Sequence, residues 1–157
     1  MSAQQGLEFI TVETGADPTA AVIWLHGLGA DGHDFEAIVP ELDLTGAPPI
    51  RFIFPHAPVR PVTINHGMVM RAWYDILEMD IDRKIDHEGL EESAALIQEL
   101  IADQISLGIP ADRVILAGFS QGGAMTYHVG LSHDPPLAGL MVLSAYLADP
   151  EVANREG

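Results

Sequence analysis

The stretch from Glu88 to Leu131 most constrains what this chain can become. In Glu88–Leu107, Leu90, Ala94, Ile97, Ile101 and Ile105 recur at three- and four-residue steps, which predicts a helix with one apolar stripe. Glu88, Glu91 and Glu92 in its first turns suit the positive end of the helix dipole, and Gly108 and Pro110 stop it. Arg113–Ala117 (RVILA) is then a short apolar run, as expected of a strand buried on both faces. A glycine-rich turn follows, and Ala124–Leu131 continues as a second helix. A helix, a doubly buried strand and a helix in succession are the repeating unit of an α/β protein.

The remaining chain extends the alternation. Leu7–Val12 and Ala21–His26 read as strands joined by the turn-rich Gly15-Ala16-Asp17-Pro18. Phe35–Leu42 is predicted to be a short helix and Ile50–Phe54 a strand ended by Pro55. His56–Asp75 reads as a long ordered loop, and Leu137–Ser144 as a last apolar strand. Strands alternating with helices imply right-handed crossovers and a mostly parallel sheet with helices on both faces. In such sheets reactive groups collect at the carboxyl ends of the strands. With no repeat or low-complexity linker, residues 1–157 are expected to form a single domain.

Charge and composition narrow the partners. Seven Lys and Arg against 23 Asp and Glu give a formal charge of −16, which disfavours phosphate backbones and anionic membrane surfaces. The same acidity also serves solubility alone. There is no cysteine, hence no disulfide framework, thiolate metal site or thiol nucleophile. Neither a secretory leader nor a membrane span is legible, so a soluble cytoplasmic protein is expected. A neutral small-molecule substrate, or one with an apolar tail, fits best.

Two turns at carboxyl ends of strands carry chemistry. Gly118-Phe119-Ser120-Gln121-Gly122 lies between the RVILA strand and a helix, the setting of a nucleophile elbow. By composition alone such a pattern arises in roughly one chain of this size in twenty, and the flanking strand and helix make coincidence rarer. Ser120 also stands at a helix N-terminus, where N–H groups favour a developing negative charge. The second turn, His26-Gly27-Leu28-Gly29-Ala30-Asp31-Gly32, directly follows a strand. A hydrolysing serine needs two N–H donors for the tetrahedral oxyanion. One comes from the residue after the nucleophile, Gln121, and the other from an earlier loop of His-Gly type, where Leu28 is the natural donor. Alone this turn is a weak signal, since glycine-rich turns after strands are common and His26 could merely hydrogen-bond a loop; paired with the Ser120 turn it gains weight.

These two turns, with Pro55-His56-Ala57-Pro58, Arg60-Pro61-Val62-Thr63-Ile64-Asn65 and Ala72-Trp73-Tyr74-Asp75, resemble the carboxylesterase and acyl-protein thioesterase family, most nearly its bacterial carboxylesterase branch. The resemblance runs from about residue 7 to Tyr146. It implies an α/β-hydrolase sheet, no metal or organic cofactor, and hydrolysis of carboxylic esters or acyl thioesters through an acyl-enzyme. It also implies Ser120 as nucleophile, Leu28 and Gln121 as oxyanion donors, and Trp73 and Phe119 beside the acyl pocket. By composition Trp73 could equally be a core aromatic. The family has Gly-Gly after Thr-Ile-Asn, where this chain has His66-Gly67; His66 is a substitute base or a loop bystander.

A serine hydroxyl needs a base oriented by a carboxylate, and in this fold the order is Ser, then Asp or Glu, then His. His128 lies eight residues along the helix from Ser120, about 12 Å down its axis at 1.5 Å per residue. His133 and Asp134 lie further still, and no histidine follows Asp149. The triad Asp and His are therefore expected to be absent from this chain, and the polar tail from Asp149 to Gly157 stands where the family begins another core strand. The expectation is a fold truncated after the strand that follows the nucleophile helix. Its uncovered edge would then favour self-association. Alternatives are a non-catalytic acyl-binding or interaction fragment of the same fold, or a bare structural fragment.

Overall fold

The computed structural model describes residues 6–77 and 86–145. Tyr146, Asp149 and the tail to Gly157 lie outside the described residues. Seven strands, β1 (Phe9–Glu13), β2 (Ala20–Leu25), β3 (Ile50–Pro55), β4 (Val59–Val62), β5 (Met68–Arg71), β6 (Val114–Phe119) and β7 (Gly139–Leu143), and two helices, α1 (His87–Ser106) and α2 (Gln121–Gly130), are formed.

Five strands make one sheet in the order β1-β3-β2-β6-β7. All its pairings are parallel except that of β1 with β3. The chain leaves β2 for β3 on one side and later returns as β6 on the other, so β2 and β6 flank the switch in strand order. Ligands collect in the crevice such a switch opens. In that register Leu25 stands opposite Gly118, and the Leu28 and Ser120 turns emerge side by side.

Both helices cover one face. Leu90, Ala94, Ile97, Leu100 and Ile101 of α1 and Ala124, Met125 and Val129 of α2 pack on Ile23, Leu25, Val114 and Leu116. Burying each Leu or Ile side chain is worth about 1.5–3 kcal/mol, which fixes the register of the helices on the sheet. The α1 stripe predicted from spacing holds except at its end. Ile105 is 40% exposed, while Gln104 is buried. At 100° per residue Ile105 lies about 90° round from the centre of the buried face. Asp86 caps α1, accepting from Gly89 N at 3.0 Å.

On the other face Val22, Trp24, Phe52 and Phe54 are covered by Phe35, Ile38 and Val39. That covering segment, expected as a helix, consists of two 3-10 turns, Gly32–Asp34 and Glu36–Glu41. Pro40 sits in the second, where it removes an N–H donor and would break a longer helix. His56–Asp75 is not the expected loop: β4 and β5 pair as an antiparallel hairpin. Pro61 is tolerated there because an edge strand needs no inward N–H, and His66 and Gly67 take positive φ (58° and 76°) to turn the chain. β7 is an outer strand with Met141 and Leu143 partly exposed, and no strand among the described residues pairs with its free edge. Among the described residues no helix is long and apolar enough to cross a membrane.

Candidate active site

Strand β6 ends at Phe119 and α2 begins at Gln121, so the whole reversal falls on one residue. Ser120 takes φ 55° and ψ −117°, a conformation costing a non-glycine residue of order 1–3 kcal/mol. Two glycines make it feasible. A Cβ on Gly118 would collide with the Gly122 carbonyl, and one on Gly122 with the carbonyls of Leu25 and His26. The bend is held by Ser120 N donating to Leu143 O at 2.8 Å and Ala124 N donating to Ser120 O at 3.0 Å. The Ser120 side chain does not cap the helix. It is exposed and lines a cavity of about 100 Å³ with Leu28, Tyr74, Ile76, Ala124 and Ala145.

The His26–Gly32 turn presses against this bend. A Cβ on Gly27 would lie 3.5 Å from Ser120 Cβ and 3.3 Å from the Phe119 ring. The turn is pinned by Gly29 N donating to Arg71 O (2.9 Å) and Ala30 N donating to Gly27 O (3.2 Å). Gly32 N donates to His56 Nδ1 at 3.0 Å. Among the described residues the N–H groups of Leu28 and Gln121 donate to no acceptor. Uncommitted N–H groups from two adjoining turns, one at a helix N-terminus, are what an oxyanion requires.

His26 is a fixture of this turn. It is 1% exposed, and its Nε2 accepts from Ala57 N at 2.9 Å. The proton is therefore on Nδ1, which donates to Gly27 O at 2.7 Å. Burial lowers its pKa below 6.5 despite the opposing Gly27 bond and Asp31 charge. A folded state with a depressed histidine pKa binds fewer protons than the unfolded chain. Stability from His26 is therefore complete above about pH 6.5 and is lost as pH falls toward the folded pKa. The exposed His33, raised by its bond to Glu36, acts in the opposite sense. A His26→Gln variant is expected to show a flatter fall of melting temperature between roughly pH 7 and 5 than the parent. Parallel profiles would remove His26 as the cause.

The other sequence candidates separate. Trp73 is fully buried in the core and Phe119 points to the opposite face against Phe35, ring centroids 5.7 Å apart. Neither lines the cavity; Tyr74 and Ile76 do. Alternation explains this, since Gly118 faces α2 and its neighbour Phe119 must face away. His128 is buried and its Nε2 meets Glu91 Oε2 at 2.9 Å. His133 is half-buried with Nδ1 2.7 Å from Pro135 O, and His66 stands at the hairpin turn. No histidine or carboxylate among the described residues hydrogen-bonds Ser120. Ser144 and Ala145, at the end of β7, also border the cavity; no local pattern marked them.

Known proteins resemble this chain in sequence and in fold. The phospholipase/carboxylesterase family profile matches residues 7–156. Acyl-protein thioesterase 1 of Neurospora crassa is 42% identical over 149 residues, covering 88% of this chain and 59% of that protein. Acyl-protein thioesterase 1 of Schizosaccharomyces pombe is 39% identical over 141 residues, covering 90% and 62%. The chain thus spans about three fifths of the length of these relatives. Among solved structures, Arabidopsis thaliana SOBER1 superposes with a TM-score of 0.80 at 31% identity, over 87% of this chain and 66% of that one. Zea mays acyl-protein thioesterase 2 gives 0.74 at 29% identity, over 94% and 71%.

Proposed function

Because the chain belongs to the phospholipase/carboxylesterase family of ester-hydrolysing α/β-hydrolases, we propose that Ser120 is the nucleophile of a serine esterase or acyl thioesterase. The observation that carries this is an exposed serine at φ 55° between two glycines that admit no Cβ. Ser120 Oγ attacks the acyl carbon, and the oxyanion formed is held by the N–H groups of Leu28 and Gln121. Loss of one such donor costs roughly 10²–10³ in rate. Collapse expels the alcohol or thiol, and water then hydrolyses the acyl-enzyme. The cavity of about 100 Å³ receives the acyl portion nearest the carbonyl, against Leu28, Tyr74 and Ile76.

The Ser120 proton must pass to a base, and this reading places that base and its carboxylate outside the described residues. The two apolar clusters share one sheet, which supports a single domain. The edge of β7, unpaired among the described residues, supports association of copies. That no base among the described residues bonds Ser120 favours, as a second reading, an acyl-binding role without turnover.

A fluorophosphonate probe separates the two. The expected result is a single adduct on Ser120 by peptide mass spectrometry, absent from Ser120→Ala. Labelling no faster than that of the alanine variant would leave only the acyl-binding reading. An adduct on Ser144 instead would sink both.

A further inference from the structure

We propose that the Gln121 side chain is a positioning latch that holds the cavity wall to both oxyanion turns; this rests on Ser120 being the nucleophile. Gln121 is 5% exposed. Its Oε1 accepts from Trp73 N at 2.7 Å and its Nε2 donates to Tyr74 O at 2.8 Å. The strap so gripped is tied onward in two directions. Trp73 Nε1 donates to His26 O at 2.8 Å, immediately before the Leu28 turn, and Ser93 Oγ of α1 donates to Trp73 O. Tyr74, between the grip and the cavity, forms its wall. One side chain thus connects the first residue of α2, the wall of the cavity and the end of β2.

The chemistry of the grip is specific. It needs an acceptor facing an N–H and a donor facing a carbonyl, which a carboxamide supplies at once. An ionised carboxylate of the same shape has no donor and would face the Tyr74 carbonyl with a lone pair, a buried repulsion. Protonated, the same carboxyl regains a donor, its O–H to Tyr74 O, while its C=O accepts from Trp73 N. The titratable neighbours are few. They are His26 at the end of β2, whose pKa burial lowers and whose titration the parent shares; the Tyr74 phenol; Arg60, which donates to Ala72 O beside the strap and pairs with Glu92 of α1; Asp75, whose carboxylate accepts from Thr63 N and Oγ1; and Asp86 before α1, which accepts from Asp75 N. The first turn of α2 carries no acid, and α1 presents Ser93.

Gln121→Glu therefore becomes an acid-rescued variant and Gln121→Met an unrescued one. Two readings are taken from pH 5 to 8, well below the melting temperature: fluorophosphonate labelling of Ser120 relative to the parent, and Trp73 emission in a Trp24→Phe background. At pH 8 Gln121→Glu is expected to label at least tenfold more slowly than the parent, recovering most of that loss at pH 5. Its Trp73 emission should be red-shifted at pH 8 and return toward the parent at pH 5. Gln121→Met should be slow at every pH. Equal relative rates for Gln121→Glu across the range, or Gln121→Met labelling like the parent, would overturn the latch. A parent that labels at no pH would defeat the nucleophile reading; the Trp73 emission of Gln121→Glu would still decide the latch.

Discussion

Replacing Ser120 with glycine is expected to stabilise the fold by about 1 kcal/mol while abolishing fluorophosphonate labelling. The strain of a non-glycine residue at φ 55° is of order 1–3 kcal/mol, and glycine removes it at an entropic cost of about 0.5–1 kcal/mol. For a chain of this size that gain raises the melting temperature by roughly 2–4 °C. The substitution deletes the nucleophile and relaxes the bend together, so stability and reactivity should move in opposite directions. Calorimetry alongside labelling checks it. A melting temperature below the parent's would mean the bend is not strained, and the serine's geometry would lose its functional explanation.

Trp73→Ala is expected to be the most destabilising single truncation in the core, at about 3–5 kcal/mol. Trp73 is fully buried, and removing its indole empties the space between α1 and the end of β2. It also deprives the His26 carbonyl of its donor, a loss of about 1–3 kcal/mol that is not simply additive. Against a typical domain stability of about 5–15 kcal/mol, much of the margin disappears. Urea denaturation should show a lower midpoint, and Ser120 labelling should slow even under conditions where the variant remains folded. A midpoint within a few tenths of the parent's would show that the strap around Trp73 does not hold the site. By that route a residue outside the cavity governs reactivity within it.

These two substitutions also mark how far local reading reached. The spacing of Leu90, Ala94, Ile97 and Ile101, the apolar run before Ser120 and the glycines at 118 and 122 are short-range features. Sterics within a few residues dictate what they can form, and the helix, the buried strand and the bend all stand where they were expected. The hairpin of β4 and β5 escaped, because Pro58, Pro61 and Gly67 argue locally against strands; Pro58 and Gly67 fall just outside the paired residues, and Pro61 is tolerated only at an edge.

From sequence alone came the α/β class, the bend at Ser120 and the glycine-rich turn at Leu28, because each is encoded by neighbours along the chain. Tertiary structure alone decided that Trp73 belongs to the core, that Tyr74, Ile76, Ser144 and Ala145 border the cavity, and that the Gln121 amide grips a strap 48 residues away in the chain. Contacts across that separation leave no period in the sequence. They exist only once the order of strands in the sheet has brought the ends of β2 and β6 together.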